Sequence, residues 1–392
     1  MSAGFSNPQT LTIMRVAHIC TRFNRLSETF VYDLIVGLER SGTENHILTA
    51  ARENAEERPF ARVQVLTIPL WHQAVFAIQK RWMRTYRFPL PLRATRRAIQ
   101  HIRPDVILAH FGGTGAAIAP VAREQGIPLI VVFHAFDLFM RHFRPATYAA
   151  LWGSGVHSVA VSEHGRRRLL ELGCPEDRVR VIHCGVDVTR FAPVPARRPD
   201  ATGFRLVGIG RFVEKKGFDD LLRAVAGMRH GLAGPLRLDL WGEGPLKPEL
   251  EALTRRLDLQ KVVTFKGGVS HTLVPELLSR YDAFVLPSKT ARNGDTEGIP
   301  ISILEAQAAA LPVVATLHAG IPEGVPPGNR DWLAREGDID DLEQKLRMLA
   351  SQRTRWQEIG LRGRRWVLKH FRLEQEIHAY RCLFAEIKTP CP

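Results

Sequence analysis

Two carboxylates and two cations carry the chemistry that this chain of 392 residues can be read for. Glu297 and Glu305 stand eight residues apart in Asn293-Gly-Asp-Thr-Glu-Gly-Ile-Pro-Ile-Ser-Ile-Leu-Glu-Ala306, with Gly298 and Pro300 between them. A helix starting near Ile301 puts Glu297 in the loop before its N-terminus and Glu305 about one turn inside. Free N–H groups at that terminus suit phosphate oxygens, and the carboxylates can accept hydrogen bonds from sugar hydroxyls. An acidic first turn also suits the helix dipole with no ligand at all. Arg211 and Lys216 lie in Gly208-Ile-Gly-Arg-Phe-Val-Glu-Lys-Lys-Gly217, a glycine-punctuated loop that ends where a helix begins. Backbone N–H groups and cations there fit a diphosphate, although a plain turn with exposed charges fits the same residues. Trp241-Gly-Glu-Gly-Pro245 is a further tight turn and says little by itself. His134 closes the apolar run Leu129–Phe133, at the end of a strand where such folds aim residues at a cleft; a lone histidine there is also a common structural residue.

The elements that must hold these residues alternate between short apolar, β-branched runs and longer amphipathic stretches, the signature of parallel α/β layers. Strands are expected at Ile13–Cys20, Val106–Ala109, Leu129–Phe133, Ser158–Val161 and Val179–Ile182. Helices are expected at Ser27–Arg40 and Glu163–Leu172. Ser27 can cap the first of these, with Phe30, Val31, Leu34, Ile35 and Leu38 on one face and Gly42 after its end. Residues 191–203, with three prolines and little apolar content, read as a linker. A second series follows: strands Phe204–Gly208, Arg237–Trp241, Val262–Lys266, Ala283–Leu286 and Pro312–Ala315, and the helix Phe218–Ala226. A wholly helical stretch then runs from Asp338 to about Lys388. Two such halves place a cleft between the carboxyl ends of two sheets.

Composition narrows the class. With 45% hydrophobic and 24% charged residues the chain is neither disordered nor fibrous, and no apolar run is long enough for a membrane span. Its start lacks a secretory pattern, and five cysteines without a C-x-x-C pair fit a reducing compartment better than a disulfide framework or a zinc site. The net charge of +14 peaks between Arg58 and Pro104, where ten basic residues (among them Lys80, Arg81, Arg84 and Arg87) meet no acid. Trp71, Phe76, Trp82, Met83, Tyr86 and Phe88 interleave with them. Such a segment could lie on an anionic bilayer, track a nucleic-acid backbone, or be a solvated arginine-rich face. No recognised nucleic-acid motif accompanies it.

Taken together, Gly-Arg-Phe-Val-Glu-Lys-Lys-Gly217, Gly-Glu-Gly-Pro245, the Glu297/Glu305 pair and Pro312-Val-Val-Ala-Thr with Ala319-Gly-Ile-Pro-Glu323 resemble glycosyltransferase family 4 over about 120 residues. Thr21-Arg-Phe-Asn-Arg-Leu-Ser-Glu-Thr-Phe30, His110-Phe-Gly-Gly-Thr-Gly115 and Phe133-His-Ala-Phe-Asp137 resemble the branch that builds bacterial exopolysaccharides such as colanic acid and amylovoran, and Gly185-Val-Asp187 resembles the family's residues before the linker. One departure follows Glu323, where Gly-Val-Pro-Pro-Gly-Asn-Arg-Asp-Trp332 replaces the usual glycine-containing segment.

The resemblance implies a GT-B fold: an acceptor-binding Rossmann-like domain over 1–190, the linker 191–203, a nucleotide-sugar-binding domain over 204–365, and a C-terminal helix over 366–392 packing back on the first domain. It implies that Arg211 and Lys216 bind the donor diphosphate, with Gly210, Gly242 and Glu243 in the neighbouring turns. Glu305 would hold the ribose, Glu297 would face the donor sugar, and Gly298, Ile299, Pro300 and Ile301 would line its pocket. His134 would approach the sugar, and Ser27, Glu28, Thr29, His110 and Asp137 would form the acceptor side. The reaction implied is retaining, nucleotide-sugar-dependent hexosyl transfer without metal or cofactor, on the inner face of the cytoplasmic membrane, to an acceptor carried on a lipid diphosphate, with no nucleic-acid partner. A catalytically silent nucleotide-sugar-binding homologue or a membrane scaffold would need a broken motif set. A GT-B epimerase or phosphorylase is disfavoured by the Glu297/Glu305 arrangement, and a Rossmann dehydrogenase by the missing G-x-G-x-x-G fingerprint.

Overall fold

The computed structural model describes residues 13–25, 28–67, 91–141, 143–153, 155–193, 203–228, 232 and 234–388. Two wholly parallel sheets result. The first joins β1 (Arg15–Phe23), β2 (Glu44–Arg52), β3 (Val63–Val65), β4 (Val106–His110), β5 (Leu129–Phe133), β6 (His157–Ala160) and β7 (Val179–Val181) in the order β3-β2-β1-β4-β5-β6-β7. The second joins β8 (Phe204–Ile209), β9 (Leu236–Trp241), β10 (Val263–Gly267), β11 (Ala283–Leu286), β12 (Val313–Thr316) and β13 (Leu333–Ala334) in the order β10-β9-β8-β11-β12-β13. Strand order reverses beside β1 and β4 in one sheet and beside β8 and β11 in the other. The loops after those strands therefore splay apart and frame a crevice at the carboxyl ends.

The apolar runs become central strands buried on both faces, as parallel sheets covered by helices require. β2 escaped the pattern because Glu44, Asn45 and His46 occupy its first half. The first helix is Thr29–Arg40, and its expected cap Ser27 lies outside the described residues. The helix Glu163–Glu171 is capped by Ser162, whose Oγ accepts the Gly165 N–H at 3.0 Å.

The C-terminal stretch holds three α-helices, Ile339–Ser351, Trp356–His370 and Leu373–Lys388. Trp356–His370 stays on the second domain, with Gly360 against Ala310 and Gly363 against Gln307. The chain thus crosses at Phe371–Arg372, beyond the expected boundary at 366. There the Val186 N–H donates to the Phe371 carbonyl (2.8 Å) and the Leu373 N–H to the Val186 carbonyl (3.0 Å). Gly185 is needed for this approach, because a Cβ on it would stand 2.5 Å from the Leu373 Cα. The last helix then buries Tyr380, Leu383 and Phe384 against Val16, Leu34, Leu38, Val106 and Leu108 of the first domain.

Candidate functional site

The loops after β8, β9 and β11 are stitched into one surface. The Gly210 N–H donates to the Trp241 carbonyl (2.9 Å) and the Phe212 N–H to that of Glu243 (3.0 Å). Gly242, at φ 149°, comes so close that a Cβ would lie 1.9 Å from the Gly210 oxygen. Arg211 stands exposed on this surface, whereas Lys216 is drawn inward and its Nζ meets Glu297 Oε1 at 2.7 Å. Glu297 Oε1 also accepts from Ser288 Oγ (3.3 Å), and its Oε2 lies 3.9 Å from Lys215 Nζ. Burial opposes the Glu297 charge, but Lys216 and Lys215 outweigh it and hold the pKa at about 2. For Lys216 burial prevails over Glu297, so its pKa lies below the ordinary lysine range. The two residues assigned separately to diphosphate and sugar are thus one buried ion pair.

Beyond Glu297, Pro300 opens the helix Ile301–Ala308 and offers no side-chain cap to its first N–H groups. Glu305 is buried one turn in, and its Oε1 is 2.8 Å from His271 Nε2. Arg190 fixes His271, its Nη2 donating to the His271 carbonyl at 2.6 Å, while Asp33 Oδ2 of the first domain lies 4.0 Å from His271 Nδ1. Burial raises the Asp33 carboxyl above its usual range, with His271 and Arg190 pulling against it. This chain of contacts reaches across the crevice.

On the opposite wall the turns after β5 and β4 are tight: Ala135 and Phe111 have φ of 73° and 72°. Both turns hang on Asp137, whose Oδ1 accepts the His134 N–H (2.9 Å) and Oδ2 the Gly112 N–H (2.6 Å). Asp137 is fully buried, and burial pushes its pKa up to about 6 against those two N–H groups. His110 is also fully buried, its Nε2 3.3 Å from His18 Nδ1; His18 Nε2 lies 3.0 Å from Asn45 Oδ1. His110 and Asp137 thus stand behind His134, Asp137 through the His134 N–H and His110 through its ring. The His134 ring sits between Phe30 and Phe111 (centroids 4.7 and 4.8 Å) and over His110 (6.0 Å). Burial lowers its pKa to about 3, so it is a neutral imidazole. Glu28 and Thr29 open the helix beside it. Burial raises the Glu28 carboxyl above its usual range, opposed by Arg25 and by Arg211 from the other domain.

The walls touch at several points. A Cβ on Gly298 would lie 3.8 Å from that of Ala135, and the Arg141 N–H donates to the Asn293 carbonyl (2.9 Å). Glu323 accepts the N–H groups of Glu163 (2.8 Å) and His164 (2.9 Å), capping a first-domain helix from the second domain. The departing segment after Glu323 forms a turn, Pro327–Trp332, in which Asn329 donates to the Ile359 carbonyl, away from the crevice. Lys215 lies inside a quoted motif and His318 between two of them, and neither residue type nor spacing there marks them out. Asp33, Arg190, His271 and Glu336 gave no local signal, being solitary polar residues whose partners are remote in sequence.

The basic segment is less uniform in space than in sequence. Arg62 pairs with Glu39 and Arg96 with Glu124, and Arg58 is buried with Nη1 donating to the Arg25 carbonyl. Lys80, Arg81, Arg84 and Arg87, with the six interleaved apolar and aromatic residues, lie outside the described residues, as do linker residues 194–202. Among the described residues no helix is long and apolar enough to cross a membrane, and no group of three or more His, Cys, Asp or Glu is placed to hold a metal.

Comparison with known proteins gives this geometry a context. Residues 27–190 match the family described as Glycosyltransferase Family 4, and residues 196–366 that described as Glycosyl transferases group 1. The chain is 30% identical over 369 residues to the putative colanic acid biosynthesis glycosyltransferase WcaL of Salmonella typhimurium, covering 85% of this chain and 90% of that one. It is 36% identical over 252 residues to the Escherichia coli WcaL, covering 62% of this chain and 61% of that relative. In fold it is similar to Anabaena Alr3699/HepE, solved in complex with UDP-glucose, at a TM-score of 0.77 and 18% identity, covering 95% of this chain and all of that one.

Proposed function

The chain belongs to glycosyltransferase family 4, and we propose that it transfers a hexose, with retention, from a nucleotide-sugar to a hydroxyl of a saccharide acceptor in bacterial exopolysaccharide biosynthesis. What carries the reading is the buried Lys216–Glu297 pair at the mouth of the helix Ile301–Ala308, with the His134 turn on the facing wall. In the reaction the bond between the anomeric carbon and the diphosphate oxygen breaks, the nucleoside diphosphate leaves with the electron pair, and the acceptor oxygen takes its place as its hydroxyl proton passes to the departing diphosphate. Negative charge grows on the leaving diphosphate. Arg211, Lys216 and the uncapped helix N-terminus supply donors and positive charge there, which is why the reaction is proposed to need no metal. Glu297 takes the sugar side, Glu305 the ribose, and neutral His134 hydrogen-bonds the sugar. A carboxylate held ionised beside an uncharged imidazole suits hydroxyl recognition rather than proton abstraction. Contacts between the walls exclude water, which would otherwise hydrolyse the donor.

The acceptor is proposed to be carried on a lipid diphosphate at an anionic membrane surface, approached by the basic, aromatic-studded segment of the first domain. No nucleic acid enters this reading.

The test is a panel of UDP-, GDP-, ADP- and TDP-sugars, assayed with EDTA present for thermal stabilisation and for turnover. UDP-glucose, bound by the structurally similar Anabaena protein, is the first to try. One donor class should stabilise the fold by about 2.7 kcal/mol at a hundredfold excess over its Kd. Absence of stabilisation and turnover with every donor would overturn the proposal, and turnover only after metal is restored would overturn its metal-free part.

A further inference from the structure

β12 ends at Thr316, and the chain turns at once through Leu317-His-Ala-Gly320, with Ala319 at φ 48°. The turn buries the His318 side chain to 1% exposure. Its two nitrogens face different partners. Nδ1 lies 2.8 Å from Glu336 Oε2, and Nε2 lies 3.3 Å from the backbone nitrogen of Glu297. An amide N–H can only donate, so Nε2 must present its lone pair. The ring is then neutral and carries its proton on Nδ1, where it donates to Glu336. The other Glu336 oxygen accepts the Thr290 N–H at 2.6 Å, so that both carboxylate oxygens have fixed duties.

The peptide unit so held is the one that aims Glu297. Its carbonyl edge, at Thr296, accepts from Lys215 Nζ (2.9 Å), and its N–H edge donates to His318. With both edges gripped the plane cannot rotate, and the Glu297 carboxylate stays against Lys216. We propose that His318 and Glu336 are positioning residues for Glu297: Glu336 selects the imidazole tautomer, and the tautomer holds the Thr296–Glu297 peptide in its working orientation. For its effect on turnover this rests on the glycosyltransferase reading of the same site.

Four variants of the full chain separate this from a packing role. In Glu336→Gln the Thr290 N–H still requires an oxygen, so the carboxamide turns its NH2 toward His318 Nδ1. The ring must then carry its proton on Nε2, against the Glu297 N–H, and two donors face each other. Glu336→Ala removes the selection but leaves the ring free to keep the working tautomer. The milder-looking Gln change should therefore be the more harmful, by about tenfold in kcat/KM with the best donor of the panel. His318→Leu should also lose about tenfold or more. His318→Gln should recover most of that, because its oxygen can accept from Glu297 while its NH2 donates to Glu336. Independently of turnover, 15N-histidine labelling should show the resonance that His318→Leu removes as Nδ1-protonated in the wild type and Nε2-protonated in Glu336→Gln.

Glu336→Gln as active as Glu336→Ala, or a wild-type ring that is charged or Nε2-protonated, would overturn the proposal. If no donor on the panel turns over, it is the function that fails, and the tautomer measurement still decides this inference.

Discussion

Removing one member of the Lys216–Glu297 pair tests how the site is held as well as what it does. The pair is 2.7 Å apart with side chains 12% and 8% exposed, so solvent screens it little. Lys216→Met keeps the length of the side chain and deletes the charge. Glu297 then remains in its pocket with Ser288 at 3.3 Å and Lys215 at 3.9 Å as its nearest support. A carboxyl whose pKa lies at about 2 instead of 4.5 is favoured in its charged form by about 3 kcal/mol, net of the burial that opposes it. Breaking a buried pair from one side commonly costs 3–5 kcal/mol, and the residual hold of Lys215 favours the lower figure, about 3 kcal/mol.

For a domain of this size that is a fall in Tm of roughly 6–12 °C. Glu297→Gln alone strands the lysine and should cost a similar amount, whereas the double variant leaves no unpaired charge and should regain most of the loss. Turnover should behave differently, falling on the order of a hundredfold in all three, because the double variant restores packing and not the donor-facing charges.

The pH dependence has a definite sign. The unfolded chain protonates Glu297 near 4.5 and the folded one only near 2, so this contribution is whole above 4.5 and is lost as the pH falls toward 2. Lys216→Met should be flatter across that window. Calorimetry of the wild type and the three variants, near neutrality and in acid, measures each quantity. A Lys216→Met protein within about 1 kcal/mol of wild type, or a double variant no more stable than it, would refute the reasoning.

Two further outcomes follow. Asp137→Asn places an NH2 against one of two buried N–H groups, those of Gly112 and His134. It should cost about 1–3 kcal/mol in thermal denaturation and lower kcat through the displaced His134; unchanged stability would remove Asp137 from its positioning place. Co-sedimentation with liposomes should rise with anionic lipid content and fall when Arg81, Arg84 and Arg87 are replaced by Gln. Indifference to lipid charge or to those replacements would end the membrane reading.

Much of this protein was legible in its residues because the relevant forces act locally. An apolar β-branched run such as Leu129–Phe133 or Ala283–Leu286 has no stable alternative to a buried strand, and both were expected with the ends they have. The spacing of Glu297 and Glu305 about Pro300 settled which carboxylate precedes the helix and which lies within it. A continuous helical pattern hides its own breaks, however, and what keeps Trp356–His370 on the second domain is the packing of Gly360 and Gly363 against Ala310 and Gln307.

Pairings between loops belonged to the tertiary structure. Strand order brings the loop after β8 beside the loop after β11, and only that juxtaposition joins Lys216 to Glu297. It also set His110 and Asp137 behind His134, and gave Arg62 and Arg96 acidic partners from outside an acid-free segment. His318 and Glu336 looked like two unrelated polar residues until one fold placed them in line with a single peptide N–H. Sequence alone determined which residues could do the chemistry, since residue type and local spacing set charge, turn and helix. The fold decided which of them meet, because contact between remote loops is fixed by the order in which strands join a sheet.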